Sequence, residues 1–284
     1  GLMLLCSTVE LISIYLALEL ASFSLFPLVP LRTKSLSAAE AAIKYMFIGG
    51  VATAVGLFGF SYILAAQHTT DLNQLVHMSW SWSHSPMAVL GLTFFLSGLL
   101  FKLAFFPFHF WAPDVYEGAG NETAAYIAVL PKVGAVAVLL RFTPLLKPGM
   151  EITTILAVLA AASMTYGNLA ALVQKDVKRI LGYSAIAHAG YLMVGVVAGT
   201  PMGVAAAAFY AFAYVLMSFT CFWVICRESV DGRNLKLEDL KGLSSRAPGL
   251  ALVLAVGAVA LVGLPPTAGF MGKFFLLSAA WNRG

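Results

Sequence analysis

Charge is what this sequence has least of. Asp, Glu, Lys and Arg make up 11% of its 284 residues, where a soluble domain averages about 25%. Apolar residues reach 60%, and most of the charges stand between long apolar runs. That pattern excludes a disordered chain and an ordinary soluble domain. It also means that the net charge of +4 says little about nucleic acid. Cysteine is scarce too: Cys6, Cys221 and Cys226 all lie in apolar runs. They are too few for an iron–sulfur or zinc site, which needs about four ligands, and read as buried small hydrophobes. No dinucleotide-binding loop, flavin site or metal-ligand cluster is written in the chain, so no redox chemistry is expected in it. No stretch alternates as a membrane barrel strand does, so backbone groups must be satisfied within helices. There is neither an initiator Met nor a signal peptide. Gly1 already stands in an apolar run, and the chain is read as an internal portion of a longer protein.

What is present is a series of apolar runs. Eight are counted, at 2–29, 39–65, 87–111, 122–142, 151–174, 180–199, 203–226 and 249–281, each near or beyond the ~20 residues a helix needs to cross the hydrocarbon. The expected fold is an all-α membrane protein: residues 1–284 form a single transmembrane domain, a polytopic helix bundle. Alternate loops differ in charge. One set carries Arg32, Lys34, Lys175, Lys178, Arg179, Arg227, Arg233, Lys236, Lys241 and Arg246. The other carries Arg141, Lys147 and Arg283. The positive-inside rule makes the first side cytoplasmic and places both ends of the chain on the outer, periplasmic side of a bacterial-type inner membrane. The outer loop 66–86 has no Lys or Arg but three histidines and two tryptophans, which suits an interfacial segment. Segment 231–246, with Leu235, Leu237, Leu240 and Leu243 among charges, reads as a short amphipathic piece on the cytoplasmic surface.

Two runs are interrupted by proline. The third contains Phe106-Pro107-Phe108-His109-Phe110-Trp111-Ala112-Pro113, and the eighth contains Gly263-Leu264-Pro265-Pro266-Thr267-Ala268-Gly269. The eighth run, about 33 residues, would reach roughly 50 Å as one helix against a ~30 Å core, so a break or steep tilt is required. Proline removes a donor and clashes with the preceding turn, which places the break there. The two breaks lie five spans apart. An odd-numbered repeat inverts its topology, so the expectation is inverted five-helix repeats with two discontinuous helices at corresponding places.

Lys102, Lys132, Lys273, Glu10 and Glu19 all fall inside apolar runs. Each costs about 2.5–3.5 kcal/mol at mid-membrane on insertion scales. Charges of both signs can pair and lower that cost. Glu10 and Glu19 are nine residues apart, about 900° at 100° per residue, and so face opposite ways. Glu19, amid small residues, is preferred for an interior polar track, and Glu10 then faces a neighbouring helix or subunit or lies near the outer boundary. Burial disfavours a lysine's charged form and a nearby carboxylate favours it. Moving the carboxylate therefore moves the proton affinity, a switch that needs no metal. His188 could pass a proton at intermediate affinity, and Tyr183, Ser184 and Ser163 could position water. His109 stands beside a break. Glu40 and Lys44, at i and i+4, read as a helix-end pair. Asp114, Glu117 and Glu122 read as a solvated inner loop.

The stretch FKLAFFPFHFWAPDVYEGA at Phe101–Ala119 closely resembles the signature of the N-type antiporter-like membrane subunit of respiratory complex I, the proton-pumping NADH:quinone oxidoreductase. KDVKRILGYSAIAHAGYLMVG (175–195), LEDLKGLSSRAP (237–248) and GLPPTAGFMGKFF (263–275) support it, and the resemblance runs through the whole chain. It implies the proton-pumping antiporter-like fold of fourteen spans, of which this chain resembles the fifth to twelfth. Glu19 then resembles the family's fifth-helix glutamate, Lys102 the lysine of the broken seventh helix, Lys132 the eighth-helix lysine and Lys273 the lysine of the broken twelfth. The stretch Gly118–Thr123 departs from the proline-containing one of many relatives. The resemblance implies catalytic roles in proton translocation for Glu19, Lys102, Lys132 and Lys273; His188 joins them on its own chemistry, and no metal or cofactor is expected in this chain. NADH, FMN, iron–sulfur clusters and quinone are expected on other subunits. Expected partners are the other complex I membrane subunits, antiporter-like and small, together with the lipid bilayer. The alternative is a subunit of a cation/proton antiporter complex or membrane-bound hydrogenase, which shares the lysine and broken-helix plan.

Overall fold

Local signals start and stop each helix. The structure, a computed structural model, describes residues 1–32, 35–146 and 150–282; Lys34, Lys147 and Arg283, three of the expected loop charges, lie outside the described residues. The elements are α1 (Leu2–Ser7), α2 (Leu11–Leu25) continued by a 3₁₀ turn (Phe26–Leu31), α3 (Leu36–Gln67), α4 (Leu72–Leu75), α5 (Pro86–Leu103), α6 (Trp111–Gly118), α7 (Asn121–Phe142), α8 (Glu151–Leu172), α9 (Val177–Ala198), α10 (Pro201–Glu228), α11 (Leu243–Arg246), α12 (Pro248–Val262) and α13 (Ala268–Trp281). Glu10 caps α2 by accepting from Ser13 N at 2.9 Å, Asp176 caps α9 from Arg179 N at 3.0 Å, and Thr200 caps α10 from Gly203 N at 3.0 Å. Each satisfies a backbone donor that a helix start leaves free. Pro86, Pro201 and Pro248 open helices where their missing N–H is not needed.

Among the described residues, seven segments are long and apolar enough to cross a membrane: Leu11–Leu31, Leu36–Gln67, Pro86–Leu103, Asn121–Leu145, Glu151–Leu172, Val177–Ala198 and Pro201–Glu228. The final apolar run is two shorter helices, α12 and α13. The run read as 2–29 contains a turn. Gly1 packs on the backbone of Ala17 and Ala21, so α1 folds back along α2, and Glu10 is the cap of α2 rather than a charge inside a span.

Both expected breaks are present. Ala104 takes a left-handed conformation at the end of α5 (φ 56°), and Gly263 does so at the end of α12 (φ 84°). The first break is stitched by Ser163, whose Oγ accepts from Phe106 N at 3.0 Å and donates to Ile186 O at 3.3 Å. Trp111 Nε1 then ties α6 to Phe101 O at 3.0 Å.

The two halves of the bundle share an architecture in opposite orientation. Glu10 pairs with Asp71 through Leu11 N to Thr70 O and Leu72 N to Val9 O. Asp176 pairs with Lys236 in the same manner, through Val177 N to Leu235 O and Leu237 N to Lys175 O. In each half a capped helix leads to a long one, then to a short turn and a Pro-opened half-helix that breaks: α2, α3, α4, α5 and α6 against α9, α10, the 3₁₀ turn Leu237–Leu240, α12 and α13. The first pairing sits at the end where Arg141 reaches the carbonyls of Cys6 and Thr8. The second sits at the opposite end, where Arg32 donates to Asn234 at 2.7 Å. Segment 231–246 differs from the expected surface-lying piece. It divides into the 3₁₀ turn and α11, buries Leu235 and Leu243, and leaves Leu237 exposed, because its backbone is held by residues 175–177.

Candidate functional site

The lysines expected inside the bundle are there, each at a different kind of station. Lys102 lies in the last turn of α5, where the carbonyl end of the helix carries partial negative charge. It is 8% exposed, and its ammonium donates to Ser22 Oγ on α2. Glu19 is half-buried on the same helix and accepts from Thr53 Oγ1 at 2.8 Å. Glu19, Thr53, Tyr15 and Lys102 line one cavity of ≈ 20 Å³, about the space of one water. It is therefore Glu19, not Glu10, that shares a cavity with Lys102, though the two charges do not form a direct ion pair.

Lys132 follows Pro131 inside α7, where the proline leaves the helix unbroken. It is 5% exposed. Its ammonium donates to Tyr214 Oη at 3.3 Å and lies 5.3 Å from the Tyr214 ring centre and 5.7 Å from that of Tyr116. Among the described residues, Lys102, Lys132 and Lys273 form no ion pair. Lys132, His188, Tyr210 and Tyr214 line a second cavity of ≈ 20 Å³. His188 Nδ1 and Tyr210 Oη are 2.5 Å apart. The His188 ring lies 6.4 Å from the Tyr191 ring, and the Tyr191 ring carries the Lys273 ammonium 4.5 Å from its centre. Lys273 reaches back across the second break to donate to Leu261 O at 3.2 Å and Val262 O at 3.0 Å. Lys132, Tyr214, His188, Tyr210, Tyr191 and Lys273 thus form one connected cluster. Lys102 and Glu19 form another, separated from it by the packed rings of Tyr45, Phe101, Trp111 and Tyr116.

Other expected residues have different places. Ser163 braces the first break, Tyr183 faces Arg179 and Tyr166, and Ser184 makes none of these contacts. His109 is buried, stacked on Phe106 at 5.2 Å and edge-on to Tyr166 at 4.5 Å. Asp114 and Glu117 are not a solvated loop. They lie on α6, where Asp114 binds Lys44 at 2.9 Å and Arg179 at 2.8 Å, and Glu117 binds Arg179 at 2.7 Å. Lys44 also pairs with Glu40 at 2.7 Å. Lys178, counted among loop charges, is fully buried and donates to Ala119 O at 2.7 Å. Its signal was the capping Asp176 two residues before it, which places Lys178 in the first turn of α9. Sequence reasoning passed over Tyr210, Tyr214, Tyr191, Ser22 and Thr53. The spacing of Tyr210, Tyr214 and Ser218 at i, i+4 and i+8 puts a polar stripe on one face of α10, and that could have been read.

The family model described as NADH:quinone oxidoreductase/Mrp antiporter, TM, matches residues 8–284. NADH-quinone oxidoreductase subunit N 2 of Solidesulfovibrio magneticus is 61% identical over 100% of this chain, which covers 61% of that protein. The chain thus spans about three-fifths of the length of the curated relatives it matches. A chain of respiratory complex I from Thermus thermophilus matches with a TM-score of 0.88 and 38% identity, covering 100% of this chain and 62% of that one. A chain of the Mrp complex from Dietzia has a TM-score of 0.89 at 23% identity, covering 98% and 52%; that likeness is one of fold alone. The curated relatives are named subunit N, and, with the family model matching nearly its whole length, the chain belongs to the NADH:quinone oxidoreductase/Mrp antiporter membrane family.

Proposed function

We propose that this chain is a proton-translocating membrane-arm subunit of an NADH:quinone oxidoreductase, itself without redox chemistry. The observation that carries the proposal is Lys132: buried at the centre of the bundle, without a carboxylate, held by a tyrosine hydroxyl, and sharing a cavity with His188. A lysine so placed takes or gives a proton when the surrounding charge changes. Lys273 and Lys102 stand at the carbonyl ends of half-helices, and Glu19 is the carboxylate whose movement alters the field at Lys102. Proton transfer through Lys102, Lys132, His188 and Lys273 is then driven by quinone reduction elsewhere in the complex. NADH, FMN, iron–sulfur clusters and quinone belong to partner subunits, and the neighbours of this chain are other membrane subunits. The segregation of Arg32, Lys44, Arg179, Arg233 and Arg246 at one end of the bundle supports a cytoplasmic face there, with the end of α13 on the outer side; Gly1, expected outside, instead packs on Ala17 and Ala21 partway along α2.

The test is Lys132→Ala and Lys132→Arg in the assembled complex. Both variants lower NADH:quinone turnover and proton uptake into vesicles by roughly tenfold or more, while the flavin-site reaction with an artificial acceptor persists. Arginine keeps its charge and cannot cycle, whereas a merely structural Lys132 would tolerate it. Wild-type pumping by a well-assembled Lys132→Ala complex overturns the proposal.

A further inference from the structure

Tyr116 presents a contradiction that packing alone does not resolve. Its side chain is fully buried at the heart of the bundle, yet its hydroxyl has no hydrogen-bond partner among the described residues. Stability favours phenylalanine at such a position, because a buried hydroxyl left unpaired loses its hydration and gains nothing. The residue is also held in place deliberately. It sits on α6, the short helix after the first break. Asp114 and Glu117 of α6 are clamped by Lys44 and Arg179, and Trp111 is tied to Phe101 O. With α6 fixed at both its ends, the Tyr116 ring is held against Lys132, whose ammonium lies over it, 5.7 Å from its centre.

The ammonium therefore stands between two phenols. On one side is Tyr214, its present acceptor, which shares the cavity of His188 and Tyr210. On the other is Tyr116, whose ring packs on Trp111 at 6.5 Å, and Trp111 packs on Phe101 and Tyr45 beside the Lys102 cluster. We propose that the Tyr116 hydroxyl is the second acceptor for the Lys132 ammonium, a positioning residue that holds the lysine turned toward the Lys102 half when it leaves Tyr214. A lysine stem is flexible and its ammonium carries three donors, so the change of acceptor is a side-chain rotation in which no covalent bond forms or breaks. The two seats make Lys132 a two-position element: one faces the second half of the bundle, the other the first. This rests on the reading of Lys132 as a relay and adds the group that sets its direction.

The experiment is Tyr116→Phe in the assembled complex, run beside Lys132→Ala. Phenylalanine keeps the ring and its packing and removes only the unpaired oxygen. Tyr116→Phe assembles in wild-type amounts and melts no lower than wild type. Its NADH:quinone turnover and proton uptake fall by about tenfold, below the range given by a positioned proton-transfer group, and the pH profile of turnover changes shape. Wild-type turnover and an unchanged pH profile in Tyr116→Phe, with Lys132→Ala impaired, overturn the second-acceptor role and leave the relay standing. Loss of assembly in proportion to loss of activity makes Tyr116 structural and also overturns it. Wild-type pumping in Lys132→Ala removes the relay itself, whatever Tyr116→Phe does.

Discussion

The two broken helices hold a lysine at the same electrostatic station by different means. Lys102 precedes its break and sits in the last turn of α5. Lys273 follows its break, on α13, and reaches back to the terminal carbonyls of α12. Both ammonium groups lie at the negative end of a half-helix. Their surroundings differ. Lys102 is sealed against Ser22, with Glu19 across a one-water cavity, whereas Lys273 is half-buried under the Tyr191 ring. Ser22 and His188 each stand twelve residues after the capping carboxylate of their helix, and Glu19 and Ala185 each stand nine after it. The first half thus has a carboxylate and a hydroxyl where the second has a methyl group and an imidazole. The inverted repeat preserves the helix break and varies the partner. The break supplies the field that tolerates a buried lysine, and the partner decides what that lysine answers to.

The largest contrast to test is in packing at the breaks. A Cβ at Gly269 would fall 1.8 Å from Ala260 O, where α13 crosses α12, while one at Gly98 of α5 would meet nothing nearer than Ala52 O at 3.5 Å. Gly269→Ala should lower stability by more than about 2 kcal/mol, read as loss of assembled protein and a lower melting point in detergent. Gly98→Ala should assemble and melt as wild type; equal losses of assembly would erase the contrast.

Next is arginine in place of each lysine. The sealed site of Lys102 has no room for a guanidinium, so Lys102→Arg should lower stability by about 1–3 kcal/mol. Lys273→Arg, half-exposed and able to donate to the same carbonyls, should assemble normally and still turn over slowly, since arginine does not release its proton. Quantifying assembled complex separates the two.

Removing the partner of the carboxylate is a smaller step. Thr53→Val deletes the 2.8 Å hydrogen bond to Glu19, worth ~1 kcal/mol for a partly buried acceptor. Turnover should fall severalfold with the complex intact, and the second half offers no equivalent substitution.

The smallest effects are at the matched caps, which titrate with opposite signs. Burial pushes the Asp176 carboxyl above its ordinary value against the hydrogen bond from Arg179 N. Its contribution is therefore present at low pH and lost as pH rises through the folded-state value. For Glu10, burial also pushes upward, but hydrogen bonds from Thr70, Ser13 and Ile12 together bring it below its ordinary value. Its contribution is present at neutral pH and lost as pH falls through that lowered value. Relative to wild type, Asp176→Asn, which retains a cap, should gain stability as pH rises above the ordinary carboxylate range, while Glu10→Gln should be less stable there and approach wild type as pH falls below it. Melting curves of both variants against pH would check the signs.

Much of this protein was legible without coordinates because hydrocarbon leaves few options. Backbone groups without water must be satisfied within helices, prolines must break them, and charges in apolar runs stand out because each is expensive there. Lys102, Lys132 and Lys273 were identified on that ground. For Glu10 the sequence left a neighbouring helix, a subunit or the outer boundary open, and its role as a cap was hidden, because an apolar run does not register a tight turn and a carboxylate capping a helix looks like one buried inside it. Asp114, Glu117 and Lys178 were assigned to loops because their partners, Lys44, Arg179 and Ala119 O, are distant in sequence.

By itself, then, the sequence determined that the chain is a bundle of membrane helices, where two of them break, and that Lys102, Lys132 and Lys273 lie within it. The tertiary structure alone decided that Lys102 meets Ser22 while Glu19 is held by Thr53, that Lys132 rests between Tyr214 and Tyr116, and that Lys273 turns back onto α12. A hydrogen bond is made or lost within a few tenths of an ångström, by rotation of a helix about its axis. Helices apolar on every side carry no pattern from which that rotation can be read.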